Sequence, residues 1–101
     1  MTEGDDLIAE LLAQTARVTW PELERHFARG LVIRVAPELD LIAVGRDFAA
    51  GDRAAVEAAL ATGALARLGP AEARHWAADA PELWALVVAP WVLVQERPPV
   101  D

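Results

Sequence analysis

The sequence predicts an α+β domain: a small three-stranded sheet packed by about five helices, in the order α-α-β-α-α-β-α-β. Three observations carry this prediction. The stretch from Leu83 to Val94, LWALVVAPWVLV, is almost continuously apolar. It is rich in β-branched and aromatic residues, which suits a strand covered on both faces. A second β-branched run, Leu31 to Ala36, opens directly after Gly30 and stops at Pro37. Most of the remaining chain divides into segments with helical spacing and recognisable ends.

The elements are justified in turn. Asp5 and Asp6 open a first helix, where acidic residues favour the positive end of the helix dipole. Leu7, Ile8, Leu11 and Leu12 give it one apolar stripe, and it fades near Ala16 or Arg17. Thr19-Trp20-Pro21-Glu22 starts the second helix: Thr19 caps, Glu22 completes a capping box, and Pro21 falls in the first turn. Trp20, Leu23 and Phe27 form its buried stripe, and Gly30 ends it. The strand 31–36 follows, with Arg34 interrupting the run and marking a sheet edge or rim.

Residues 38–50 fit two periods. Leu41, Val44, Gly45 and Phe48 make a helical face, whereas Leu39, Leu41 and Ala43 alternate as in a strand; length favours helix. Asp52 caps a further helix, about 53–62, that Gly63 terminates. Residues 64–68 alternate between two glycines as a short strand. Pro70 opens the last helix, which places Ala73, Trp76 and Ala80 on one face and ends at Pro81. The final strand falls into two pieces, 83–89 and 91–95, joined by a bend, because Pro90 has no amide proton to give a ladder. Pro98 and Pro99 make 96–101 a loose tail, matched by loose residues 1–4 at the other end.

Composition narrows the functional classes. A chain of 101 residues, 54% hydrophobic and 25% charged, makes a single globular domain. A net charge of −7 weighs against nucleic acid and anionic membranes as partners, since both need a basic footprint. The apolar run at 83–94 falls short of the roughly 20 residues a membrane span requires. Met1 is followed by Thr2, Glu3, Gly4, Asp5 and Asp6, so no signal peptide is expected, and a cytoplasmic location fits. There is no cysteine and no serine. That removes disulfides, thiolate metal sites and the two commonest nucleophiles.

Several segments together are familiar: TWPELERHFARG at 19–30, LDLIAV at 39–44, an alanine-rich helix ending in glycine before ALARL, and LWALVVAPWVLVQE at 83–96. Over roughly residues 7–96 the chain resembles a family of short proteobacterial proteins known only as a domain of unknown function. The resemblance implies a single cytoplasmic domain and assigns no activity, cofactor, partner or catalytic residue.

Candidate chemistry is sparse, and no catalytic set, cofactor or metal is expected. His26 titrates near neutrality and could serve a pocket; it also reads as a flank residue paired with Glu22. Arg25, Arg29 and Arg34 cluster around Gly30 and could hold a carboxylate or another anion, or simply form a solvated face beside Glu22 and Glu24. Asp40, Asp47 and Asp52 lack any metal-binding spacing. Trp20, Trp84 and Trp91 are expected in the core. Still, four tryptophans are more than an interior of this size hides easily, and Trp91 at the Ala89-Pro90 bend is the natural one to face a partner. Two readings result. One is a non-enzymatic binding or regulatory module, a homodimer or a binder of another protein, acting through Trp84 and Trp91. The other is a small-ligand protein or enzyme built around His26 and the arginine cluster.

Overall fold

The computed structural model describes residues 9, 11 and 13–97. The fold is α+β, but the sheet has five strands rather than three, and four helices stand among the described residues. In chain order these are β1 (Thr15–Val18), α1 (Trp20–Ala28), β2 (Val32–Val35), α2 (Leu41–Ala49), α3 (Arg53–Thr62), β3 (Leu65–Arg67), α4 (Pro70–Asp79), β4 (Glu82–Val88) and β5 (Trp91–Arg97). Across the sheet the order is β1-β4-β5-β2-β3. The β5–β2 pair is parallel and the other pairs are antiparallel.

The extra strands have one origin. Pro90 does not bend a single strand. The chain reverses at Ala89-Pro90, whose peptide bond is cis, and β4 pairs with β5 from Glu82 opposite Arg97 to Val88 opposite Trp91. Proline sits in the turn, where no ladder bond is asked of it. The reversal leaves β4 with an open edge. Residues Thr15–Val18 fill it, Val18 opposite Leu83 and Thr15 opposite Leu86. The sequence reads these four as the fading end of a helix; pairing with β4, not local propensity, makes them a strand. Most of the helix expected before them lies outside the described residues, although residues 9, 11, 13 and 14 are helical. β5 extends through Glu96 and Arg97, two residues into the expected tail, while residues 1–4 and 98–101 lie outside the described residues.

The sheet carries helices on both faces, and strand alternation decides which side chain meets which layer. Val92 and Val94 of β5 point to α1 and α4, in a cluster with Val32, Leu23, Ala73, Trp76 and Leu83. Leu93 points the other way, toward α2, with Ile33, Val35, Leu41, Val44 and Leu86; Val56 and Ala59 of α3 pack on this second cluster. Within residues 38–50, Leu41–Ala49 is helix, capped by Asp40, which accepts from Ile42 N at 2.9 Å and Ala43 N at 3.4 Å. Gly45 on α2 has no spare room. A Cβ there would fall inside the Cδ2 of Leu86, so the missing side chain is what lets α2 lie against β4.

Arg34 does not mark a sheet edge. β2 lies between β5 and β3, and Arg34 sits opposite both Val94 and Ala66. Its charge is tolerated in an interior strand because the side chain reaches the sheet's rim. There Nε lies 2.9 Å from Glu72 Oε2, an ion pair rather than an aligned hydrogen bond, and Nη2 donates to the Gly63 carbonyl at 3.2 Å.

Gln95 and Glu96 lock the two layers to the end of β5. Gln95 is 3% exposed, and its amide donates to the carbonyls of Ala36 at 2.9 Å and Leu39 at 2.7 Å, holding the connection into α2. Glu96 faces the other layer, where its Oε1 accepts from the indole N–H of Trp76 at 2.9 Å. These three bonds satisfy polar groups that burial would otherwise leave costly.

Candidate functional site

The tryptophans sort by the partner each indole finds. The sequence puts Trp20, Trp84 and Trp91 in the core. The structure instead seals Trp76, 1% exposed, and leaves those three half-buried against the two clusters. Trp76 can be sealed because its N–H has Glu96. Trp84 donates to Glu82 Oε2 at 2.7 Å near the surface, with the Arg97 guanidinium 5.1 Å above its ring. Trp91 has the Arg67 guanidinium 5.5 Å above its ring, and its N–H finds no acceptor among the described residues.

Trp91 also walls a cleft of about 240 Å³. The corner between α2 and α3 builds the opposite side. Gly51, in the left-handed conformation at φ 70°, turns the chain out of α2; Gly51 N–H donates to the Phe48 carbonyl at 3.2 Å and Asp52 N–H to the Asp47 carbonyl at 2.9 Å. Asp52 then caps α3 through Ala55 N at 3.1 Å. This turn sets Phe48 and Val56 as apolar walls facing Trp91, while Asp47, Asp52, Arg53 and Glu57 form the rim.

A second cleft of about 280 Å³ runs between the start of α1 and the end of α4, with Trp20, Trp76, Val18 and Leu83 along it. Arg17 and Glu82, 4.0 Å apart, stand at its polar edge. A third, of about 180 Å³, lies at the start of α2.

The remaining sequence candidates are dispersed. His26 is half-buried and lines none of these three clefts. Glu22, the expected partner of His26, reaches back to Thr19, accepting from its backbone N–H at 3.3 Å and its hydroxyl at 3.0 Å. Arg25 and Arg29 are exposed, and Arg34 is taken by Glu72 and Gly63. Asp40 and Asp52 are both occupied as caps, and among the described residues no group of three or more His, Cys, Asp or Glu could hold a metal ion.

One histidine that carries little signal in the sequence has a defined setting. His75 Nδ1 lies 2.6 Å from Asp79 Oδ2, and Nε2 lies 3.6 Å from Glu96 Oε2. Desolvation, the largest single influence, pulls its pKa down. The hydrogen bonds and negative charges of Asp79 and Glu96 together outweigh it, so the net shift is upward. Asp79 and Glu96 thus hold the ring in an ion-pair cluster.

Fold and site together define a small α+β domain in which two half-buried tryptophans stand beside clefts with no acceptor for the indole N–H among the described residues, Trp20 at the α1–α4 cleft and Trp91 against the α2–α3 corner. The chain belongs to the family described as "Protein of unknown function (DUF2288)", which matches residues 6–96. It is similar to the NMR solution structure of PA1075 from Pseudomonas aeruginosa, at 44% identity and a TM-score of 0.81, over 98% of this chain and 93% of that one. None of the curated proteins matches it. No helix among the described residues is long and apolar enough to cross a membrane.

Proposed function

We propose that the protein is a non-enzymatic binding module that engages a partner through the Trp91 cleft. A cytoplasmic setting belongs to this reading, supported by the absence of cysteine. The observation that carries it is the state of Trp91: a half-buried indole whose N–H has no acceptor among the described residues, beside Phe48 and Val56 in an open cleft of about 240 Å³. Tryptophan in such a place presents a large rigid surface at low entropic cost, which is why it dominates binding hot spots. Trp84 contributes less to this reading, because its N–H already has Glu82.

The test is a fragment screen read by two-dimensional NMR on labelled protein. Hits are expected to move the Trp91 indole signal together with the amides of Phe48, Gly51 and Val56, and the Trp91→Ala variant to lose them. Hits that gather instead between α1 and α4, or around His26, sink the assignment of this cleft. Light scattering on the free protein separates the two kinds of partner: a dimer that Trp91→Ala converts to monomer makes the partner a second copy.

A further inference from the structure

We infer that the Trp91 cleft receives an arginine side chain presented by a partner protein. This rests on the reading of the cleft as a binding site and adds the chemistry of its occupant. Size comes first. About 240 Å³ is below the ~300–1,000 Å³ of sites for drug-sized ligands and cofactors, so the cleft takes one long side chain rather than a nucleotide.

Charge comes next. Three carboxylates, those of Asp47, Asp52 and Glu57, stand on the lining against the single guanidinium of Arg53, and none of the four is in an ion pair among the described residues. The chain as a whole carries a net −7, so a cationic partner is drawn in at long range too. The apolar walls Phe48 and Val56 suit an aliphatic stem, and the indole suits a planar cation above it. Arg67, which does not line the cleft, holds its guanidinium 5.5 Å over Trp91; this shows the ring accepting a guanidinium, and with Arg53 it sets two positive charges against the three carboxylates, which still outnumber them.

The rim decides between a free cation and one carried on a chain. Gly51 is exposed, and beyond its own chain neighbours no described residue comes within 4 Å of where its Cβ would be. A partner's backbone can therefore cross the lip at Gly51 while its arginine descends between Phe48 and Trp91. Guanidinium rather than ammonium is favoured because it stacks on indole and can meet a carboxylate with two parallel N–H groups.

The experiment titrates the full-length protein with the blocked peptide Gly-Ala-Arg-Ala-Gly, its counterpart with neutral citrulline in place of arginine, and free agmatine, following the Trp91 indole N–H signal. The arginine peptide is expected to bind at least about fivefold more tightly than the citrulline peptide. Asp47→Asn and Glu57→Gln, which spare the cap at Asp52, are each expected to narrow that ratio, with the spectrum of the rest of the protein unchanged. Equal binding of the arginine and citrulline peptides overturns the cation while leaving a binding cleft in place. Agmatine binding as tightly as the arginine peptide overturns the partner protein in favour of a small free amine. If no peptide moves the Trp91 signal although fragments do, the occupant is not arginine; if fragments fail as well, the cleft itself is not a site.

Discussion

Trp76 and Trp91, on opposite faces of the sheet, are held in opposite ways. On the α1–α4 side Trp76 is shut in, its indole N–H held by Glu96 and its ring among Leu23, Ala73 and Leu83. On the α2–α3 side Trp91 is left half-open, with Arg67 over its ring and an unclaimed N–H beside a cleft. Hydrophobicity is the same for both. The difference lies in whether the fold brings an internal acceptor to the one polar atom of the ring. For Trp76 it does, and the ring can be sealed; for Trp91 it does not among the described residues, and the ring stays partly at the surface.

The largest test of that contrast is a pair of truncations. Trp76→Ala is expected to cost about 3–5 kcal/mol, as large aromatic deletions in a sealed core do, and urea denaturation measures it. Trp91→Ala should cost only about 1–2 kcal/mol, since part of the ring is already in water. Equal losses would mean that Trp91 is as structural as Trp76, and the contrast fails.

Gly45→Ala probes the other layer's packing. Its Cβ would meet Leu86, which is fully buried and has nowhere to retreat, so a loss of about 1–3 kcal/mol is expected. A neutral result would show that α2 moves freely off the sheet, and the cleft wall built on Phe48 would then not be rigid.

Ala80→Gly sharpens the α4 side from the opposite direction. Ala80 ends α4 in the left-handed region at φ 47°, where a Cβ is penalised, so glycine should raise stability by about 0.5–1 kcal/mol in the same denaturation measurement. A loss on substitution would place Ala80 in a packing role beside Trp76 instead.

The smallest effect is one of pH. The folded protein favours protonated His75, so its stabilising contribution is fully present below the ordinary histidine pKa of about 6.5. The contribution fades as pH rises through the raised folded value. Thermal melting of wild type should fall slightly over that range relative to His75→Gln. Parallel profiles for the two proteins would mean that Asp79 and Glu96 do not hold the ring in solution.

Much of the helix layer was legible in the residues because its signals are local. Asp52 and Gly63 bracket α3, Pro70 and Pro81 bracket α4, and each acts on backbone groups a few positions away. The sheet was only partly legible. The apolar stretch at 83–94 was recognised as extended, yet whether proline bends one strand or turns two depends on what pairs with them, and Thr15–Val18 has no pattern of its own until β4 offers an edge. Of the candidate site, Trp91 was readable from its place after Pro90, whereas its neighbours Phe48, Val56 and Arg67 come from other elements and carry no mark of the cleft.

The amino-acid sequence by itself determined the α+β class, the ends of α1, α3 and α4, the lack of thiol and serine chemistry, and the kinship signalled by the APWVLVQE segment. Tertiary structure alone decided which indole is sealed and what Gln95 and Glu96 are for. Gln95 binds a carbonyl 59 residues away and Glu96 an indole 20 residues away. Contacts at that separation leave no periodicity to read, because the free energy of burying a polar atom depends on which acceptor the folded chain brings beside it.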